Sequence, residues 1–395
     1  MRRLFTIAFA LGAAPLFAGT PIATRCDVET TKAGVADVRR LGTCADDKTT
    51  NALWHLDRLD SGDGHLDGHY TPVAVHALVY VIDIGIEKDH SEFSDGNIIG
   101  GIDVAPKGAT PSSCTNPALH PCISPSSLAS VLIDSHGTGV ASMIGGRRVG
   151  VAPGASIVSV YTGGGGAASV FLNAFNKIIE HAWDPATPQV KTAIVNMSNQ
   201  LPQVKPTPVA YVQLENKMRD MTIGVDRDGN RDPNGKRFLF TVAGGNAAAP
   251  SKAGADRGQC GPDYEVILFP ASLGASIPGV ITVGGTAADN TMWVDSCRGA
   301  GIELFAPADD IFAAINTGND QYRLTAASGT SWSAPIVAGV AARLLTENPD
   351  LTPAELEAKL EASPTAITTA TDGPSGGRVV FVGAPPIPHR RATRH

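Results

Sequence analysis

Five uninterrupted apolar runs constrain the fold of this chain more than any other feature. They are ALVYVID (Ala77 to Asp83), SIVSVY (Ser156 to Tyr161), TAIVNMS (Thr192 to Ser198), RFLFTVAGG (Arg237 to Gly245) and GVITVGG (Gly279 to Gly285). A strand that is apolar at successive positions, with no alternation, is buried on both faces. Between these runs, ASVFLNAFNKIIEHAW (from Ala168) and VAYVQLENKMRDM (from Val209) carry apolar residues at helical spacing. Strand alternating with helix predicts an α/β fold of three layers, a central parallel sheet with helices on both faces. A further helix start is signalled by Thr352 as cap, Pro353 at the first position and Glu355 three residues on from the cap. A chain that is 43% hydrophobic and 17% charged has the material for one large core.

Both ends of the chain read differently. Arg2 and Arg3 precede an apolar run from Leu4 to Phe17 and then small residues, which predicts a secretory signal peptide over residues 1–23, cleaved between Ala18 and Ala23. The run is too short for a membrane anchor and contains Gly12 and Pro15, and no later run is long enough to span a bilayer. Residues 24–49 form a short N-terminal or pro-segment, 50–382 the main domain, and 383–395 a Pro-rich basic tail. Export would oxidise the six cysteines. Six allow fifteen pairings; their spacing favours Cys26 with Cys44, Cys114 with Cys122 and Cys260 with Cys297. The net charge of −7 argues against a nucleic-acid partner. A secreted (extracellular or periplasmic) monomer is the expectation.

Ligand sites of parallel α/β sheets lie at the carboxyl ends of the strands. Asp83 ends the first strong strand, and a carboxylate there must be paired or hydrogen-bonded. His136 opens a helical pattern in DSHGTGVASMIGG. Ser328, Ser331 and Ser333 crowd the start of another in SGTSWSAP. Taken singly, each has a structural reading: a satisfied core Asp, a packed His, and serines that cap a helix. The residues alone do not say which serine would do chemistry. The chain has no GxSxG elbow, against a lipase or esterase of the α/β-hydrolase type. DGHLDGH (Asp63 to His69) reads as a polar loop. In DRDGNRDPNG, Asp226, Asp228, Asn230 and Asp232 place oxygens at alternate positions, a spacing that suits calcium, although turns are built from the same residues.

With the order Asp83, His136, Ser331, the sequence resembles the subtilisin-like serine proteases, and most closely their proteinase K branch. YVIDIGIEKDHSEF, HGTGVAS, GVAPGASIVSV, IVNMS, VAGGN, FPASLGASIPGVITVGG and GTSWSAPIVAGVAA occur in family order between about residues 50 and 362. The resemblance implies a subtilisin-like fold and a serine endopeptidase needing no cofactor for chemistry. It makes Ser331 the nucleophile, His136 its base, Asp83 the orienting carboxylate and Asn246 an oxyanion donor beside the Ser331 backbone N–H. It implies that an extended peptide lies between Gly163–Gly166, with Gly164 and Gly165 central, and the segment bearing Ser198, Asn199 and Gln200. Ala243 and Gly244 would floor a roomy, apolar first pocket, which implies broad specificity with a preference for large apolar residues there. It also implies a calcium site built from the carbonyls of Pro278 and Val280 and the carboxylate of Glu303.

Several positions depart from the family pattern. Ile84 stands where a hydroxyl residue usually follows the Asp. Gly139 replaces the second His of the helix motif, and Trp332 replaces a Met after the nucleophile. Ser198, Asn199 and Gln200 replace Ser-Leu-Gly, and Glu303 replaces Asp. They leave open a catalytically silent binding scaffold, and more remotely a non-peptidase ester hydrolase.

Overall fold

The structure is a computed structural model. It describes residues 28–30, 36–41, 53–60, 66, 69–106, 135–163, 166–201, 209–247, 259–261, 264–316, 322–324, 328–362 and 379–380. The expected signal peptide, the expected basic tail at 383–395, Gly164, Gly165 and the cysteines at 26, 44, 114 and 122 lie outside the described residues.

Strands β1 (Val28–Thr30) and β2 (Ala36–Leu41), helix α1 (Trp54–Asp60) and strand β3 (His69–Tyr70) come first, and the three strands pair in the order β1-β2-β3. The main body follows as β4 (Leu78–Asp83), β5 (Ile98–Asp103), α2 (His136–Gly145), β6 (Ser156–Tyr161), α3 (Ala168–Ala182), β7 (Thr192–Met197), α4 (Val209–Ile223), β8 (Arg237–Ala243), β9 (Val280–Thr286) and β10 (Leu304–Pro307). A hairpin of β11 (Phe312–Ala314) and β12 (Tyr322–Leu324) precedes α5 (Thr330–Glu347) and α6 (Pro353–Glu361).

All five apolar runs are strands of one seven-stranded sheet, ordered β10-β9-β8-β7-β4-β6-β5 and parallel throughout. Successive side chains of β4 point to opposite faces, as strand geometry requires. Leu78, Tyr80 and Ile82 join a core with Phe171, Phe175, Leu214 and Met218 of α3 and α4. Val79 and Val81 join the other core with Val140 and Ile144 of α2 and Ile336 and Val340 of α5. Burying each such side chain stabilises by about 1.5–3 kcal/mol. This is the expected three-layer α/β fold. The Thr352 capping box forms as read, the hydroxyl accepting the Glu355 N–H at 3.2 Å while Glu355 accepts the Thr352 N–H at 2.9 Å.

Two strands of this sheet lacked a clear sequence signal. β5 is the sheet edge, largely half-exposed, and has two glycines at its centre, so it shows no buried run. β10 is four residues long and ends at Pro307.

From β4 the chain builds outward to β6 and β5 on one side, and later to β7, β8, β9 and β10 on the other. The β4–β7 boundary is therefore a topological switch point, where connections leave in opposite directions and open a crevice. Register aligns Ile82 with Met197 and Met197 with Val242. Asp83, Ser198 and Ala243 thus emerge side by side at the carboxyl edge.

Candidate active site

Asp83 is the last residue of β4 and 1% exposed. Its carboxylate accepts the backbone N–H of Ile84 at 2.8 Å and stands 2.9 Å from His136 Nδ1 through each oxygen. Ile84 thus supplies a main-chain donor where its side chain supplies none. Because a carboxylate accepts and does not donate, the proton of the neutral imidazole sits on Nδ1, leaving Nε2 as the basic nitrogen. The approach depends on Gly137: a Cβ there would stand 2.2 Å from the Gly85 carbonyl oxygen and 3.2 Å from Asp83 Cβ. Burial alone would lower the His136 pKa, but the charge and hydrogen bond of Asp83 outweigh it and hold the imidazole above its ordinary value.

At the start of α5, two of the three serines have structural partners. Ser328 Oγ donates to Asp309 Oδ1, and Ser333 Oγ reaches the carbonyls of Ala306 and Pro307 at 3.0 and 3.1 Å. Ser331 lies in the first turn, and its Oγ donates to the Ser198 carbonyl at 3.1 Å. In return Ser198 Oγ donates to the Ser331 carbonyl at 2.9 Å. Pro335 makes that return bond available. It stands four residues on from Ser331 and has no N–H, so the Ser331 carbonyl lacks its intrahelical donor. Ser198 is itself fixed by Asn196 Nδ2 at 3.1 Å, and Asn196 by Thr241 Oγ1 at 3.1 Å.

Asn246 follows the end of β8. Its Oδ1 accepts the Thr330 N–H at 3.0 Å and the Thr330 hydroxyl at 2.9 Å. Since an amide N–H can only donate, the Asn246 atom facing it is the oxygen, and the amino group is turned away as a donor. The Asn246 backbone exchanges hydrogen bonds with Gln259, its N–H on Gln259 Oε1 at 2.9 Å and its carbonyl receiving the Gln259 N–H at 2.8 Å. A disulfide joins Cys260 to Cys297, whose N–H donates to the Gly245 carbonyl at 3.0 Å. This pairing agrees with the one favoured by spacing.

A carboxylate-held imidazole, a helix-start serine and a pinned amide donor converge on one sheet edge. The sequence profile of the Subtilase family matches residues 76–382. This chain belongs to the subtilase family. It is 28% identical over 80% of its length to alkaline serine exoprotease A of Vibrio alginolyticus, covering 47% of that protein. It is 29% identical over 81% of its length to an extracellular serine proteinase of Thermus sp. (strain Rt41A), covering 63% of it. The chain therefore spans about half to under two thirds of these relatives. Among solved structures, a cold-adapted subtilisin-like serine proteinase superposes with a TM-score of 0.60 at 26% identity, over 84% of this chain and 99% of that one.

Two departures of this subtilase from the family pattern are one packing arrangement. The Trp332 ring lies 5.6 Å from the His136 ring, and a Cβ at Gly139 would meet Trp332 Cζ3 at 2.8 Å. Any side chain at 139 would collide with the indole, so Gly139 and Trp332 accompany each other.

The calcium expectations meet different surroundings. In the 226–235 loop, Asp226 Oδ1 accepts the Asn230 N–H at 2.8 Å and Asp232 Oδ1 the Asn234 N–H at 2.9 Å, so these carboxylates form turns. Asp226, Asp228 and Asp232 do not converge as a three-carboxylate set. At Glu303, the two oxygens accept the N–H groups of Ala275 at 2.8 Å and Thr282 at 2.9 Å. Its acidic neighbours are Glu357 and Glu361 of α6. Gly279 donates its N–H to Glu357 at 2.5 Å. In a trans peptide the carbonyl opposes the N–H, so the Pro278 carbonyl points away from these carboxylates. Of the expected trio of Pro278, Val280 and Glu303, the Pro278 carbonyl is thus the member not directed at Glu357.

Thr330, Gln259 and Pro335 acquire supporting roles that the sequence did not disclose. Thr330 and Pro335 stood inside the serine motif; Gln259 had no signal of its own.

Proposed function

We propose that the chain is a secreted serine endopeptidase that hydrolyses peptide bonds through an acyl-enzyme, with Asn246 assisting the oxyanion and an apolar first pocket. The observation carrying this reading is the contact of His136 Nδ1 with both oxygens of buried Asp83, at the edge where Ser331 begins its helix. Supporting secretion are the Arg2–Arg3 apolar leader, the Cys260–Cys297 bridge and the extracellular proteinase among the relatives. Among the described residues no helix is long and apolar enough to cross a membrane.

Catalysis begins when Ser331 Oγ turns from the Ser198 carbonyl toward His136, whose Nε2 takes the hydroxyl proton as Oγ attacks the scissile carbonyl carbon. Asp83 keeps the proton on Nδ1 and stabilises the imidazolium. The substrate oxygen, now negative, meets the Ser331 backbone N–H at the helix N-terminus and the Asn246 amino group. His136 then protonates the departing amine, and a water activated by the same nitrogen releases the acid. No metal or cofactor takes part in these steps. A monomer suffices, since every group named belongs to one chain.

A fluorophosphonate should label Ser331, and Ser331→Ala should abolish both labelling and peptide cleavage. An unlabelled, correctly folded protein would instead be a silent scaffold.

A further inference from the structure

The first pocket is expected between the Ser198–Gln200 wall and the Ala243–Gly244 floor, and one side chain bridges them. Gln200 Nε2 donates to the Ala243 carbonyl, while its Oε1 is buried without a hydrogen-bond partner beside Gly245, where a Cβ would stand 3.3 Å away. Resting on the peptidase reading above, we propose that Gln200 is a specificity-determining residue that closes the first pocket to large side chains, so that cleavage follows small residues such as alanine and serine.

Neither wall nor floor can readily yield. Leu201 anchors the wall through paired hydrogen bonds with Phe269, 2.7 and 3.1 Å long. The floor is tied by Gly244 N–H to the Val283 carbonyl at 2.8 Å and by Gly245 N–H to Thr330 Oγ1 at 3.0 Å. It is also closed from below, since a Cβ on Gly244 would meet Ile302 Cδ1 at 2.6 Å. A leucine or phenylalanine would have to expel the Gln200 amide and leave the Ala243 carbonyl without that donor. A methyl or hydroxymethyl group stops short of it. A residue without a side chain at 200 would remove the bridge and leave the slot its full depth.

The test compares peptides differing at the residue before the scissile bond, with alanine, serine, leucine or phenylalanine there, on wild type, Gln200→Gly and Gln200→Ala. Active sites are counted by fluorophosphonate labelling. Wild type should prefer alanine to phenylalanine by tenfold or more in kcat/KM, and Gln200→Gly should shift that ratio toward phenylalanine by about 10–100-fold, within the range that even one methylene group commands in a pocket. Gln200→Ala should shift it in the same direction. Labelled wild type that cleaves equally after alanine and phenylalanine overturns the role of Gln200 and leaves the peptidase reading standing. So do labelled variants whose ratio is unmoved. Absence of labelling and cleavage in folded wild type overturns both.

Discussion

Thr330 grips one oxygen of Asn246 with two donors, its backbone N–H at 3.0 Å and its hydroxyl at 2.9 Å, while the hydroxyl accepts the Gly245 N–H at 3.0 Å. The residue next to Ser331, the proposed nucleophile, thereby orients Asn246, the proposed oxyanion donor, and both are fixed by the same helix start.

Asn246→Ala should lower kcat by about 10²–10³ with little change in KM, a scale measured for such a donor in subtilisin itself, a member of this family. Thr330→Val removes one of the two grips and should cost about tenfold in kcat, the worth of one such hydrogen bond. Steady-state kinetics of both variants and their combination check this. Strictly additive losses would show that Thr330 does not act through Asn246.

Asp83 holds the His136 pKa above the ordinary 6.5. The base must be neutral, so kcat/KM should fall with acidification, and the acid limb should lie above pH 6.5. Asp83→Asn should move the limb downward and cut turnover by about 10⁴, the loss known for the analogous change in a serine protease of another fold. A pH–rate profile with its limb below that of free histidine would contradict the pairing.

The Cys260–Cys297 bridge closes a separation of 37 residues and braces the Gly245–Asn246 turn. Cys297→Ser should destabilise by about 2–4 kcal/mol. It should also lower kcat more than it raises KM, because the oxyanion donor loses its support. Denaturation and kinetics on the same preparation separate the two effects.

Burial, and then a shared proton and repulsion with Glu357, raise the Glu303 pKa to about 9. Folding therefore favours the protonated acid. The stability it contributes is complete below its ordinary 4.5 and is lost as pH rises toward 9. Melting temperature should decline across that window, and Glu357→Gln, which offers Glu303 an amide in place of a second carboxylate, should flatten the decline. Melting curves at pH 5, 7 and 9 test this; parallel slopes for wild type and variant would refute the proton-sharing pair. Calcium bound by Glu303, Glu357 and Glu361 would instead raise the wild-type melting temperature most at pH 9.

The sequence by itself determined the three-layer sheet, because every strand that became interior had to be apolar at successive positions, and five runs were. It also marked where reactive residues could stand, since Asp83 ends a strand and His136 and three serines open helices, while the family resemblance singled out Ser331 and Asn246. It could not determine which groups share hydrogen bonds across the sheet edge. Thr330 and Asn246 are separated by 84 residues, and Ser198 and Ser331 by 133. Gly139 and Trp332 looked like two independent departures until the indole was seen to occupy the room left by the missing side chain. Gln200 read as part of a roomy pocket's wall, and only the packing of two strand ends turned its amide across the floor. Local propensity acts along the chain, whereas these pairings follow from the parallel register that brings distant strand ends to one level, and that register is a property of the assembled sheet.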